Sequence, residues 1–536
     1  MDLPLSNSIV AQIFLLVTTL LLLTRLIHRH LAVRRFMALT NSKLPPTIRG
    51  GGFLGLRMAR ESDKALQRGD YLALLRSRFA ANGNTYQGSI LGMPFTATIE
   101  PENLKAVFTH IEDFTKSGRM TDWWPMLQGG VLVADGNDWK MSRNLLKPAF
   151  AHQKRASHKS LSALEDHIST RVLSRIPHDG ATVDLQELFL DYTFHAGLSI
   201  LINQDSSVTP EAHEQSQQRD MLANMQLALF EAGRRAKIGT LRLLDPLVRP
   251  RKYWRYLKAC WGIHAYFDRV IDLRLAELDS RTEKNKGLGK GENVEDRGFF
   301  DGLADATRDR VQLRWELSTA VAGSKDTMAG LLAHIFWELA RRPEVWMRLQ
   351  AEVDGLGGRM PDDEDLRGGL VYLKAVINEA LRMYPTIGIT FRWAARDLTL
   401  PVGGRPDGKS PCFVPRGRRV ITSFNALHRR PDLWGADTDE FRPERFLETV
   451  AVKTPEGVEK RIEQIKVMPK WNYLPFGAGQ RICPGQHFAM IASQYGVVRM
   501  MQTFRRIEAR DPRPYVEEAG IPITIKHGAL VGLYTS

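Results

Sequence analysis

The ten residues Phe476-Gly-Ala-Gly-Gln-Arg-Ile-Cys-Pro-Gly485 constrain this chain more than any other stretch, because they prepare one cysteine, Cys483, to be a thiolate at the head of a helix. Gly477 and Gly479 permit a tight turn and a close approach of the backbone to a flat ligand, and Arg481 offers a fixed fork of donors to a carboxylate. Pro484 suits a first helical turn, where its missing N–H would have no intrahelical partner, so the loop is expected to pass directly into a helix. The start of that helix places positive partial charge beside the sulfur and favours thiolate over thiol. A buried or zinc-bound cysteine is the plain alternative, but no C-x-x-C pair accompanies Cys483, and Cys260 and Cys412 are remote in sequence.

The pattern F-x-x-G-x-R-x-C-x-G is filled at every defined position and resembles the haem-ligand signature of the cytochrome P450 family. The resemblance implies a mainly α fold with small β-sheets (α+β), a long central helix over haem b, and one preceding transmembrane helix. It also implies Cys483 as the axial ligand, with Phe476, Gly477, Arg481 and Gly485 in the cofactor loop. An axial thiolate pushes electron density to iron and promotes O–O cleavage, so the implied chemistry is oxygen activation.

Residues Ile9 to Leu23 carry no charge, and with Ser6 to Ser8 and Thr24 they approach the roughly 20 residues that span a bilayer. Asp2 precedes the run and Arg25, His28, Arg29, Arg34 and Arg35 follow it, the reverse of a secretory signal and the pattern that keeps the following portion cytosolic. Residues 1–27 are therefore expected to be a membrane anchor. Residues 28–55, basic and carrying Leu44-Pro-Pro46 and Gly50-Gly-Gly52, read as a hinge, and 56–536 as one large catalytic domain. Three cysteines cannot supply a disulfide framework for this length. The net charge of +14 is spread without aromatic interleaving or a nucleic-acid motif, so an anionic membrane surface and an acidic redox partner are the expected beneficiaries, not nucleic acid.

Helical periodicity covers Leu161–Ile176, Leu222–Arg235 and Tyr253–Leu278, strand alternation covers Thr96–Ile99 and Arg419–Ser423, and the charged segment Arg281–Arg297 reads as a solvated loop. From Val311 to about Arg341 a helical pattern runs until Arg341-Arg-Pro343, a length of about 45 Å that would cross the domain. Its middle, Ala322-Gly-Ser-Lys-Asp-Thr-Met328, puts glycine, serine and charge where a core helix prefers alanine or leucine, a local rule-breaking that marks functional sites. In the resembling family this helix bends over the haem, and a threonine preceded by an acid relays protons to the oxygen being activated, the positions of Thr327 and Asp326. Ser324 stands where the family usually has a second glycine, and Met328 replaces a frequent hydroxyl residue. The Ser324 hydroxyl is expected to bond back to a carbonyl one turn earlier, to narrow the oxygen pocket, or to join the proton chain.

Glu379 and Arg382 share a helix face at i, i+3, and Phe441-Arg-Pro-Glu-Arg-Phe446 follows at the family spacing, which implies a buried structural network of Glu379, Arg382 and Arg445. Two haem propionates need neutralising donors, and Trp139, Arg143, Arg392 and Arg481 resemble the family's contacts; surface salt bridges or core indole packing are the alternatives. Leu400-Pro-Val-Gly-Gly-Arg-Pro-Asp-Gly-Lys-Ser-Pro411 resembles the glycine-rich hairpin of the fungal alkane- and fatty-acid-hydroxylating branch, family 52. Phe114-Thr-Lys-Ser-Gly118, Val183–Leu188 and Trp434–Asp437 resemble the same branch. Substrate contacts are bracketed by Thr121–Leu127, Asn224–Leu244, Trp315–Val321 and Ile387–Phe391.

The expectation is a single-pass monooxygenase of the endoplasmic reticulum membrane, its catalytic domain cytosolic, hydroxylating the alkyl chain of a fatty acid or alkane. Electrons would come from NADPH through NADPH-cytochrome P450 reductase, with cytochrome b5 as a second donor, since no flavin or nicotinamide fingerprint is present. Oxidation in fungal specialised metabolism is the alternative. A haem-thiolate isomerase, a peroxygenase or a non-catalytic haem protein is more distant.

Overall fold

The computed structural model describes the chain outside residues 1–6, 49–50, 117–120, 152–156, 203–211, 289–297, 406, 454–458, 521 and 536. The start of the anchor, Gly50 and the end of Phe114–Gly118 therefore lie outside the described residues.

Helix α1, Asn7–Leu39, carries the apolar run, and from Gln12 onward it is long and apolar enough to cross a membrane. None of its apolar window is buried in the protein, and Phe14, Leu16 and Leu21 are exposed. A helix apolar on every side satisfies its own backbone but has no protein face to pack, which is the condition for burial in lipid. The helix continues through the basic flank to Leu39.

Most of the remaining chain is helical, in agreement with the sequence reading. The elements that position the site are α2 (Gly136–Ala151), α3 (Leu185–Ile202), α4 (Ala212–Ile238), α5 (Pro250–Leu288), α6 (Arg310–Leu339), α7 (Val371–Met383) and α8 (Gln486–Thr503). Helix α5 runs eight residues into the segment read as a solvated loop, a correction to that expectation; the rest of the segment lies outside the described residues. Its charged residues Arg274, Glu277 and Arg281 lie at i, i+3 and i+4 spacings and pair with one another, so a polar sequence is carried as helix by intrahelical ion pairs.

Helix α6 is the axis of the fold. Asp309 caps it, accepting from the N–H groups of Val311 and Gln312, and the helix ends before Arg341-Arg-Pro343. Its first half, through Val321, belongs to one hydrophobic core with α4 and α5; its second half, from Met328, belongs to another with α3, α7 and α8. The stretch 323–327 lies at the seam between the two cores. The polar and small residues that a core helix would avoid therefore sit where neither core claims them.

A sheet of β1 (Thr85–Ile90), β2 (Met93–Thr98), β3 (Phe114–Thr115), β4 (Ile389–Ala394) and β7 (Arg419–Ser423) is ordered β1-β2-β7-β4-β3, antiparallel except for the β2–β7 pair. The glycine-rich segment forms the antiparallel hairpin β5 (Leu398–Gly404) and β6 (Ser410–Val414), with an irregularity between Leu400 and Gly404. Arg29 of α1 forms a two-pronged ion pair with Asp397 at 2.5 and 2.6 Å, and Phe36 packs on Phe413 with centroids 5.7 Å apart. Helix α1 is thereby fastened to this hairpin.

Candidate functional site

Residues 476–485 form a loop closed by a hydrogen bond from the Cys483 N–H to the Phe476 carbonyl at 3.0 Å. Gly477 and Gly479 both have positive φ, 72° and 68°. At Gly479 a β-carbon would also stand 2.1 Å from the Phe108 carbonyl oxygen, so only glycine lets the loop pass this close to its neighbour. At Gly485 a β-carbon would meet only the Phe150 ring at an ordinary 3.5 Å. Helix α8 begins at Gln486, so Pro484 lies in the turn that precedes it and not in its first turn. The hydrogen bond back to Phe476 holds the chain in a loop through Cys483, and the helix starts two residues after Pro484.

Cys260 and Cys412 are buried, and burial pushes both thiols up to about 12. Cys483 alone is accessible, although protein surrounds it closely. Burial raises its thiol above the usual range, while the Gly485 N–H, Arg143 and Lys116 act in the opposite direction. A cation at the sulfur would join that second group and complete the stabilisation of a thiolate. Among the described residues no group of His, Cys, Asp and Glu could cage a metal unaided. One thiolate beside open space therefore suits a metal whose other ligands belong to a prosthetic group, and the donor set fits haem.

The four propionate candidates divide. The Arg481 guanidinium stacks over the Trp139 ring at 4.4 Å, donates to the Ala134 carbonyl at 2.9 Å and pairs with Asp135 at 2.5 Å. Asp135 also accepts from the Lys116 N–H at 2.6 Å, and Arg392 acts on it electrostatically. Burial outweighs these cations and holds the Asp135 carboxyl above its usual range. Arg392 is buried and donates to Thr390 Oγ1 and the Phe391 carbonyl at 3.2 and 2.9 Å. Arg143 faces Cys483, its pKa lowered by burial and raised in part by that sulfur. Trp139, Arg481 and Arg392 thus converge around Asp135, and Arg143 stands apart on the cysteine side. Lys116 and Asp135 carry no motif of their own, and sequence reasoning missed them.

On α6, Gly323 is exposed in the middle of an otherwise buried helix, and Thr327, one turn on, is half-buried. The Thr327 hydroxyl donates to the Gly323 carbonyl at 2.6 Å. Ser324 Oγ donates to the Val321 carbonyl at 3.2 Å, the back-bonding anticipated for it, and lies against α3, 3.1 Å from where a β-carbon at Gly197 would stand. It packs between helices. Lys325 is wholly buried and its ammonium pairs with Asp326. Thr193 of α3 donates to the Lys325 carbonyl at 2.6 Å and draws this turn of α6 toward α3.

The network of Glu379, Arg382 and Arg445 is assembled. Arg382 donates to Glu379 through Nε and Nη2 at 2.7 and 2.8 Å with both side chains fully buried, and Arg445 Nε reaches the same carboxylate at 3.3 Å. Arg382 also donates to the His428 carbonyl at 3.0 Å, and the His428 ring accepts from the Leu474 N–H at 2.9 Å, two residues before Phe476. Burial and the neighbouring Arg382 hold His428 down to about 3, so it stays a neutral acceptor. Sequence reasoning missed this histidine, which ties the charge network to the cysteine loop.

The cytochrome P450 family profile matches residues 64–530. Among relatives, the cytochrome P450 monooxygenase himC of Aspergillus japonicus is 34% identical over 485 residues, covering 89% of this chain and 81% of that protein. Cytochrome P450 52A13 of Debaryomyces hansenii is 30% identical over 539 residues, covering 97% and 96%. Cytochrome P450 52A3-B of Candida maltosa is 32% identical over 503 residues, covering 90% and 89%. Enzymes of this family use redox partners such as a reductase and bind lipophilic substrates. With the cysteine loop, the central helix and the buried charge network all in place, the chain belongs to the cytochrome P450 family and is a haem-thiolate monooxygenase.

Proposed function

We propose that this enzyme hydroxylates the alkyl chain of a lipophilic substrate, a fatty acid or an alkane, at the endoplasmic reticulum membrane, with electrons delivered from NADPH by a reductase. Bound haem, ligated by Cys483, supplies oxygen activation. Arg481, Trp139 and Arg392 hold its propionate edge, with Arg143 on the cysteine side. Thr327 keeps its hydroxyl oriented through the bond to Gly323 beside the open face of α6, and a proton drawn from solvent would reach it by way of Asp326, whose carboxylate is held by Lys325. Ser324, turned toward α3, leaves that face to Gly323.

One observation carries the substrate reading. Alternate residues Ile387, Ile389 and Phe391 on and before β4 are half-exposed, while Gly388 and Thr390 between them are buried. Thr386, beside Ile387, lies 3.9 Å from where a β-carbon at Gly330 would stand, and Gly330 is one turn beyond Thr327 on α6. The apolar ladder thus adjoins a residue that packs on the central helix one turn from Thr327, a shape suited to an extended chain. The similarity to the 52A proteins supports the same reading. The anchor helix and the exposed Leu241, Leu243, Leu247 and Val248 support delivery from a membrane.

The test is product analysis with reductase, NADPH and a panel of fatty acids, alkanes and fungal extracts. Terminal or near-terminal alcohols from the first two classes are expected. Turnover confined to a compound from the extracts would replace this reading with one in specialised metabolism. A Cys483→Ser protein that keeps the red-shifted carbon monoxide band would remove Cys483 from the iron.

A further inference from the structure

We propose that Arg419 is a carboxylate-binding residue that makes the substrate a long-chain acid rather than a neutral hydrocarbon, an inference that rests on the alkyl-chain reading above. Arg419 opens β7 and pairs in register with Trp393 of β4, so its side chain shares a face with Phe391 and Trp393. The guanidinium lies over both rings, 5.1 Å from the Phe391 centroid and 5.3 Å from the Trp393 centroid. Among the described residues its guanidinium has no hydrogen-bond or ion-pair partner, only the two rings. It is nonetheless half-buried, and burial lowers its pKa. A guanidinium withdrawn from water with only ring faces for company has unspent donor capacity in a fixed fork, the geometry that suits a carboxylate.

The surroundings favour an anion. The nearest charges are Asp122 and Arg242, which act on Arg419 in opposite senses. Asp122 is already engaged, its carboxylate 3.2 Å from Arg242, and Arg242 donates to Thr121 Oγ1 at 2.7 Å. Among the described residues two guanidinium groups thus face one carboxylate, and the balance is one positive charge. The three polar residues come from three separate parts of the chain, the short helical turn at Thr121–Asp122, the 3-10 turn Gly239–Leu244 and β7, two of them within segments bracketed as substrate contacts.

The apolar ladder starts here. From Phe391 beside Arg419, the same strand face runs through Ile389 to Ile387, about 13 Å at about 3.3 Å per residue. Its Ile387 end adjoins Thr386, which lies 3.9 Å from where a β-carbon at Gly330 of α6 would stand, one turn beyond Thr327. An acid held at Arg419 would lie along this face with its far end at the reactive turn, so oxidation would fall remote from the carboxylate.

The experiment compares dodecanoic acid, its methyl ester and dodecane by spectral binding titration and turnover in wild type, Arg419→Gln and Arg419→Lys. Wild type is expected to bind the acid at least about 10-fold more tightly than the ester, since a charge-assisted pair is worth about 1.5–3 kcal/mol. Arg419→Gln should raise KM for the acid by that factor with kcat little changed and leave the ester unaffected, and Arg419→Lys should restore part of the preference. Equal affinity for acid and ester in wild type, or an equal loss for both in Arg419→Gln, would overturn the proposal while leaving alkyl-chain hydroxylation standing. If none of the three compounds binds or turns over, the alkyl-chain reading itself fails. Should Arg419→Gln not fold, Arg419→Lys decides: a reduced but retained preference for the acid over the ester supports charge recognition, and a loss common to acid and ester refutes it.

Discussion

Replacing Glu379 with glutamine keeps the shape of the side chain and removes one charge from the buried network, and the structure sets the scale of the loss. The carboxylate accepts from Arg382 Nε and Nη2 at 2.7 and 2.8 Å, from the Arg442 N–H at 2.8 Å and from Arg445 Nε at 3.3 Å. Four charge-assisted hydrogen bonds at about 1.5–3 kcal/mol each would total about 6–12 kcal/mol. That sum overcounts, because Arg382 keeps the carbonyls of His428, Thr438 and Glu440 at 3.0, 2.8 and 3.1 Å. Arg445 likewise keeps Asp437 at 2.8 Å. The expected cost of leaving Arg382 buried without its counter-charge is about 3–5 kcal/mol, a large part of a total stability of about 5–15 kcal/mol. Urea unfolding of the full chain in detergent, followed by tryptophan fluorescence, should show a lower midpoint at unchanged slope. Because Arg382 reaches Leu474 through His428, the red-shifted carbon monoxide band should disappear at the same lower urea concentration. The neutral pair Glu379→Leu with Arg382→Met should cost less than the sum of its single changes. A loss below about 1 kcal/mol for Glu379→Gln, or strict additivity in the double variant, would refute the reasoning.

Lys325→Met should destabilise by about 3 kcal/mol, the lower end of the range for breaking a buried pair, since Asp326 keeps slight exposure; adding Asp326→Asn should recover part of it in the same urea assay. Thr327→Ala should divert electrons to peroxide, read as a higher ratio of peroxide to alcohol product, and an unchanged ratio would remove Thr327 from the relay. Glu316, fully buried on α6, has a carboxyl that burial pushes up to about 7 from an ordinary 4.5. The native state therefore holds a proton that the unfolded chain has released. The stability this contributes is complete below pH 4.5 and is lost as pH rises through about 7, a change of about 3 kcal/mol at about 1.36 kcal/mol per unit. Glu316→Gln should flatten that part of the stability profile, leaving a smaller slope from Glu517, which burial also pushes up to about 7.

Much of the site was legible because its chemistry is local. The Phe476–Gly485 loop, the Asp326-Thr327 pair and the i, i+3 pair of Glu379 and Arg382 each lie within a few residues, so adjacency in sequence stands in for adjacency in space. The length of α6 was legible for the same reason, from its Asp309 cap and its Pro343 stop. The Pro484 reading failed because a backbone bond to Phe476 seven residues earlier outweighed a local helix preference. The Arg281 segment failed because composition conceals spacing: its charges pair at one-turn intervals and extend α5.

Sequence by itself determined the cofactor, the reaction class and the presence of a helix apolar and long enough to cross a membrane, since a thiolate loop and a run of uncharged residues are properties of contiguous chain. Tertiary structure alone decided which groups from distant segments share one place. It brought Lys116 and Asp135 against Arg481, set His428 between Arg382 and the cysteine loop, and turned Ser324 toward Gly197. It also left Arg419 between two aromatic rings at the start of an apolar ladder. The electrostatic consequence of such a charge depends on burial and on neighbours hundreds of residues away in the chain, and only packing fixes either.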